Sequence, residues 1–240
     1  MPPTERSRIA FRPSMASTLA LGALALAFAM LGSWQWDRAA AKQALQEQFA
    51  SPNTRDGLPA EPVALNRVRI HGHYQPEKQF LVDNRVLAGQ AGVHVLTPFA
   101  TDTGTLLLVN RGWLPWPDRS ILPVVPQAPV QAMLQGHLDL VRQPGLTVGG
   151  PEQLLGDRWP QVVTYPDMDL LQGALGEPLY PMVLYLEPGS PGALAGLDWN
   201  PFPMPAARHR GYAVTWFALL LSCLVAWLVL GVQRSRRVPG

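Results

Sequence analysis

Apolar residues follow three different rhythms along this chain. Met15 to Ser33 (MASTLALGALALAFAMLGS) and Gly211 to Val232 contain no charged residue. At ~1.5 Å per residue, runs of 19 and 22 residues reach roughly 28 and 33 Å, close to the ~30 Å hydrocarbon core of a bilayer, so each predicts a transmembrane helix. After the first run, WQWDRAAAKQALQEQFA is rich in good helix formers and unbroken before Ser51-Pro52, so the helix is expected to continue to residue 50. From Pro62 the period shortens. VALNRVRIHGHY, QFLVDNRVLA, GVHVLTPFA, TLLLVNRGWLP, PVQAMLQGHLDLV and MVLYLEP are short runs rich in Val, Leu and aromatics, separated by Gly, Pro, Asn and Asp. That pattern predicts an all-β meander, sandwich or small barrel. TDTG at Thr101 to Gly104 suits a hairpin turn, and most of the 25 prolines fall between the runs, where a missing amide donor does no harm. One short helix is expected at Pro166 to Leu175, with Asp167 and Asp169 in its first turn. PGSPGALAGLDWNPFPMPAA then reads as an irregular linker leading back to the membrane.

Charge orients this scheme. The tails, Met1 to Ser14 and Gln233 to Gly240, hold six arginines against the single acid Glu5, whereas Trp34 to Arg210 holds 13 Lys and Arg against 16 acids. By the positive-inside rule both tails are cytoplasmic and the middle faces outward. Arg38, Lys42, Arg208 and Arg210 run against the rule, and snorkelling to headgroups accounts for Arg38 and Lys42. The expected fold is two transmembrane α-helices flanking an all-β, meander- or barrel-like extracytoplasmic domain with a short helix. Its parts are a cytoplasmic tail (1–14), transmembrane helix (15–33), helical extension (34–50), β-rich domain (51–207), interface and second transmembrane helix (208–232), and cytoplasmic tail (233–240). A cleavable signal peptide ending near AFA (Ala27 to Ala29) is the rival for the first run. The apolar run is longer than a usual signal core, and helix-forming sequence continues past Ala29. The tail before the first helix is short for a mitochondrial presequence, so the expected site is a bacterial plasma membrane.

Composition removes several chemistries. The one cysteine, Cys223, lies within the second apolar run, so an intramolecular disulfide, a CxxC redox pair and a CxxCH haem attachment are all impossible. Carboxylates are scattered, with no phosphate loop, no HExxH and no Ser-His-Asp spacing, so no enzyme is expected. The slightly acidic middle argues against nucleic acid. His71 and His73 share a strand face at a spacing that can hold a metal, without a third ligand nearby. His94, between Val93 and Val95, and His137, in QGHLDL, read as solvated strand residues. In VNRGW, Arg111 would share a face with Val109 and Trp113, where a guanidinium pairs favourably with an indole.

His209 combines more features. On a helix, His209, Tyr212, Ala213, Trp216, Leu220, Cys223 and Trp227 fall along one stripe, an imidazole above an aromatic wall, with Arg208 and Arg210 beside it. A haem asks for an axial nitrogen, an apolar slot and cations for its propionates. An interfacial histidine beside a helix–helix seam is the plainer alternative. Gln35, Arg38 and Lys42 share a polar face just beyond the first apolar run, and with Trp34 that face is expected to meet the second helix near His209.

The stretches LGSWQWDRAAAK, DNRVLAGQAGVHVLTPF, LLLVNRGWLPWPDR and RHRGYAVTWFALLL, in this order from about Leu31 to Leu221, resemble the surfeit locus protein one family of cytochrome c oxidase assembly factors. The resemblance rests on G-x-W-Q-x-x-R (Gly32, Trp34, Gln35, Arg38), V-N-R-G-W-x-P (Val109 to Pro115) and H-x-x-Y-x-x-x-W (His209, Tyr212, Trp216). It implies retention of the first helix and a role in maturing the catalytic subunit one of a haem-copper oxidase, with haem a synthase as a further partner. It also implies binding of haem a, with His209 as the iron ligand. With haem there, Tyr212 and Trp216 are expected to line the slot, Arg208 and Arg210 to meet the propionates, and Trp34, Gln35 and Arg38 to close the slot from the first helix. A cofactor-free membrane scaffold that stabilises an unfinished oxidase subunit is the alternative.

The charge asymmetry makes a direct prediction about topology. Reporters active only in the cytoplasm are expected to work when fused at Met1 or Gly240 and to fail at Asp56; activity at Asp56 would reverse the orientation.

Overall fold

The computed structural model describes residues 9–141, 154, 158–197, 201–202 and 204–234. Of the basic tail residues behind the expected orientation, Arg6, Arg8, Arg236 and Arg237 lie outside the described residues. In chain order the elements are β1 (Ile9–Phe11), α1 (Met15–Ala50), β2 (Arg55–Asp56), β3 (Arg67–Tyr74), β4 (Phe80–Leu87), β5 (Gln90–Thr101), β6 (Leu106–Pro115), β7 (Gln131–Asp139), β8 (Gln161–Val163), α2 (Met168–Leu175), β9 (Val183–Leu186), α3 (Ala206–Gly231) and β10 (Val232–Arg234). They form two units, one from residues 1–47 and 202–240, the other from residues 48–201.

In the helical unit, α1 is one continuous helix of 36 residues, ~54 Å long. Its less exposed positions include Thr18, Leu21, Ala25, Phe28, Gly32, Gln35, Ala39 and Lys42, at alternating steps of three and four. Along α3, Ala206, His209, Ala213, Trp216, Leu220, Cys223 and Trp227 repeat the same steps. This is a 3.5-residue period, and the two helices pair antiparallel along it. Trp227 Nε1 donates to Thr18 Oγ1 at 3.0 Å near one end, and Phe28 stacks on Trp216 with centroids 5.7 Å apart further along. Small residues let the helices approach. Gly32 lies against the Phe217 ring, where an added Cβ would sit 2.7 Å from Cε1. Both helices are long and apolar enough to cross a membrane, and only 6% and 11% of their apolar windows are buried, which sets them apart from core helices of a soluble domain. At the far end, β1 pairs antiparallel with β10.

In the second unit five strands close a ring. β3 pairs with β7, β7 with β9, β9 with β6, β6 with β5, and β5 returns to β3. Only the β6–β9 contact in this ring is parallel. Counted along the chain, the ring order is first, second, third, fifth, fourth, the connectivity of an OB-type Greek-key barrel. β4 folds back on β5 and receives β8 as a parallel edge, while β2 lies beside β3. In β3, Val68, Ile70 and Tyr74 point inward and His71 and His73 outward, as strand alternation requires.

LLLV in β6 and VLYL in β9 do not alternate, because both faces of these strands are covered. Leu107, Val109, Leu184 and Leu186 fill the barrel. Leu106, Leu108, Val183 and Tyr185 face an outer layer that includes Phe80, Leu171 and Leu175. α2 supplies part of that layer. Its N-cap is Asp167, which accepts from Leu170 N, and its C-cap is Gly176 in the left-handed conformation.

Ring closure leaves no room at Gly72, which is paired with Thr101 on one side and Ala132 on the other. A Cβ there would overlap the Ala100 carbonyl oxygen and approach the Phe99 ring to 2.8 Å. G72A is therefore expected to destabilise the full-length protein by about 2–3 kcal/mol in thermal or denaturant unfolding. G173A, in α2 with nothing within 4 Å of the added methyl, is expected to be neutral or stabilising by up to ~1 kcal/mol.

Candidate functional site

The helical pair brings together two of the predicted residues and separates the others. His209, 8% exposed, faces Gln35, with Nδ1 2.8 Å from Oε1. An amide oxygen only accepts, so Nδ1 donates, and in the neutral ring Nε2 then keeps its lone pair. Fixing one ring nitrogen so that the other can ligate is how outer partners orient metal-bound histidines. The donor chemistry therefore fits an axial haem ligand. The aromatic wall does not lie as expected, because the stripe below His209 is the helix–helix seam. Trp216 is stacked on Phe28, and Phe217 covers Gly32. Tyr212 is 47% exposed on the outer side of α3, and Trp34, Arg38 and Arg208 are exposed. Arg210 donates from Nη2 to Gln43 Oε1, and Lys42 lies 5.9 Å from the centroid of Phe202. Of the expected polar-aromatic face, only Gln35 meets His209.

The β unit corrects three expectations. Arg111 does not pack on Trp113. It is 1% exposed, donates from Nε to Gly192 O and from Nη2 to Pro126 O, both at 2.7 Å, and lies 5.8 Å from the centroid of Tyr74. The reason is a bulge. Gly112 has φ +116°, β5 and β6 lose register between His94 and Leu96, and Trp113 turns to bond Ala195 O through its backbone and Arg85 O through its indole.

His94 is not on a solvated face. It lies with Val82, Arg85, Leu96, Asn110, Val141, Pro166 and Tyr185 around a small recess on the outer side of the barrel. Gly112 N–H donates to Asn110 Oδ1 at 2.9 Å, which turns the Asn110 amide nitrogen toward His94 Nδ1 at 3.2 Å. Burial, helped by the charge of Arg85, pushes the His94 imidazole down to about 4.

His137 is not solvated either, being 9% exposed. Its ring stacks on Phe49 at 4.2 Å, and Nδ1 is 3.7 Å from Glu187 Oε1. Glu187 accepts two hydrogen bonds from Arg67, at 2.5 and 2.7 Å, and one from Gln135 at 3.0 Å. The Arg67 hydrogen bond holds the Glu187 carboxyl below its ordinary value, while burial lowers His137. Phe49, Arg67, His137 and Glu187 line an open cleft of about 370 Å³. His71 and His73 are exposed, and among the described residues no group of three or more His, Cys, Asp and Glu could hold a metal. Asn110 and Arg85 are beyond sequence reasoning as site residues. The available signal was an Asn-Arg pair interrupting an apolar strand, in DNRVL and again in VNRGW.

A model of the SURF1 family matches residues 22–221. A SURF1-like protein of Caenorhabditis briggsae is 29% identical, the alignment covering 90% of this chain and 75% of the relative. Surfeit locus protein 1 of Rattus norvegicus is 27% identical, with 88% and 73% covered. An uncharacterized SURF1-like protein of Mycobacterium bovis is 27% identical, with 88% and 81% covered.

The buried histidines make the β unit acid-sensitive. A histidine held below its ordinary value binds its proton in the unfolded chain first, so stability falls as pH drops from 6.5 toward the folded value. For His94, between pH 6.5 and about 4, the loss is on the order of 3 kcal/mol. Glu187 acts the same way lower down, its contribution being lost as pH falls below 4.5. Thermal unfolding of the full-length protein from pH 8 to 4 is expected to show this decline, and H94Q is expected to flatten its upper part. Parallel profiles for the two proteins would place the sensitivity elsewhere.

Proposed function

Because the chain belongs to the SURF1 family, we propose that it is a non-catalytic, membrane-bound assembly factor for a haem-copper cytochrome c oxidase, holding haem a for catalytic subunit one. The observation that carries this reading is the Gln35–His209 hydrogen bond, which leaves Nε2 of a largely buried imidazole ready to ligate. His209 is the iron ligand and Gln35 its positioning residue. Tyr212 and Trp34 offer exposed flat rings, and Arg208 and Arg210 offer charge to the propionates. Trp216 acts through the seam, and Arg38 belongs to the polar rim. Bound haem a would itself be the cargo, a redox group held before insertion, so the residues need only bind it, orient it and let it go. In this reading the helices span a bacterial plasma membrane, both termini are cytoplasmic and the β unit is periplasmic. Haem a synthase fits as the donor.

One observation favours a second reading. The stripe under His209 is taken up by contacts between α1 and α3, and a helix pair that satisfies itself needs no cofactor. On that reading the protein is a scaffold that steadies an unfinished oxidase subunit and touches no haem.

Purification from a host that makes haem a separates the two, since the first expects a haem a spectrum and the second a colourless protein. H209A is expected to enter the membrane normally, because no apolar residue of α3 is lost. It should retain haem a weakly, with an altered Soret band. Q35L should weaken retention by about 10- to 100-fold, as loss of an orienting partner does at other metal-bound histidines. A wild-type spectrum in H209A would move the ligand elsewhere, with His71 and His73 next to test.

A further inference from the structure

His71 and His73 carry chemistry that neither the barrel core nor the helical pair uses. They flank Gly72 on β3 and are both exposed, while Ile70, Gly72 and Tyr74 are buried, so the two imidazoles share the outer face of the barrel. Among the described residues neither ring has a hydrogen bond or an ion pair. The backbone that carries them is held from both sides. Gly72 is paired with Ala132 of β7 and with Thr101 of β5. The His71 carbonyl accepts from Asp102 N, and Tyr74 N donates to Val130 O, both at 3.0 Å. Two free imidazoles therefore project from a strand that cannot shift its register.

Register supplies a third ligand. His71 stands directly opposite Met133 of β7, and His73 opposite Gln131. Met133 is 50% exposed and Leu134 beside it is buried, so the thioether lies on the same outer face as the imidazoles. Directly opposed residues hold their Cβ atoms about 4.5–5.5 Å apart, and the diagonal from Met133 to His73 is about 7–8 Å, within reach of long side chains. At roughly 3.4 Å per residue the histidines are about 7 Å apart along β3, a span that two imidazoles bridge when both bind one ion. The set is neutral and soft. Thioethers and imidazoles suit Cu(I), whereas zinc takes its sulfur from thiolates. No third His, Cys, Asp or Glu among the described residues joins the two histidines, so a hard divalent ion finds only two good ligands. Charge favours a monovalent ion too. Arg69, two residues before His71 on this face, keeps a guanidinium nearby, paired with Asp56 at 3.2 Å, and its repulsion grows with the charge of the ion.

We propose that His71, His73 and Met133 form a binding site for one cuprous ion on the outer face of β3 and β7. His71 is the central ligand, with His73 beside it on the strand and Met133 across from it. All three side chains are at the surface, so the ion is taken up and given back without opening the barrel, which suits passing copper on rather than storing it. The site stands apart from the proposed haem function, and the test does not depend on haem.

The test uses the full-length protein in lipid nanodiscs, made in a host that produces no haem a. Cu(I) is titrated without oxygen against a chromogenic cuprous chelator. The wild type is expected to bind one equivalent that the double variant H71Q/H73Q loses. Copper X-ray absorption of the loaded protein is expected to show a sulfur neighbour beside the nitrogens. M133L is expected to weaken Cu(I) binding several-fold and to remove the sulfur signal, with an unchanged thermal transition because the side chain is exposed. Zn(II) is expected to bind more weakly than Cu(I), and equally in the wild type and M133L. The proposal is overturned if H71Q/H73Q keeps the equivalent, if the sulfur signal is absent or persists in M133L, or if M133L binds Cu(I) as the wild type does. Zn(II) binding as tight as Cu(I) also overturns it, since the pair would then be an unselective imidazole site.

Discussion

The β unit is organised around a buried guanidinium. Arg111 sits almost wholly out of water, and burial lowers its proton affinity, with the Tyr74 ring beside it. A charge in that position must be met by acceptors. The acceptors are main-chain carbonyls of Pro126 and Gly192, in segments with no ladder of their own. One side chain of β6 thus fastens two irregular stretches to the barrel, while its own carbonyl accepts from Leu194 N. To reach them β6 must bulge at Gly112, and the bulge turns Asn110 toward His94. Arginine suits this role because its fork of donors can serve two carbonyls at once, which a lysine could not do in the same geometry.

The helical unit obeys a different constraint. Lipid gives apolar helices little reason to associate, so the pair is held by close approach at small residues and by a few polar contacts along a 3.5-residue seam. Thr18–Trp227 and Gln35–His209 are such contacts, with Phe28 on Trp216 between them. The same seam that holds the pair also limits it. His209 is oriented within a stripe whose next members, Ala213 and Trp216, are spent on packing, so orientation and an open slot compete for the same stripe.

Much of the architecture could be read from spacing. Long uncharged runs marked the helices, and short punctuated runs marked the strands, because a bilayer and a barrel impose periods that side chains must follow. Barrel closure was not legible, since it depends on β3 pairing with both β5 and β7, a fact of register that no single strand encodes. The stripe on α3 was visible, but a stripe says only that one face differs; that it meets α1 rests on the matching steps through Ala25, Gly32 and Ala39. His94 and His137 looked solvated because alternation cannot tell an outer face in water from one covered by β4, by α2 or by Phe49. Arg85 and Asn110 were hidden for a similar reason. Their meeting depends on two bulges, and a bulge breaks the period from which strands are read.

The place of β9 in the ring has a consequence for how this chain is made. β9 is the last barrel strand in sequence, yet it fits between β6 and β7, which are made well before it. Until residues 183–186 emerge, both neighbours present bare edges, and the Leu-rich faces of β6 lack part of their cover. A nascent chain would pass through a stage with an apolar sheet open along one seam, the kind of edge that pairs with the wrong partner. Slow emergence would prolong that stage, so the fold places a premium on finishing the segment from β7 to β9 without pause.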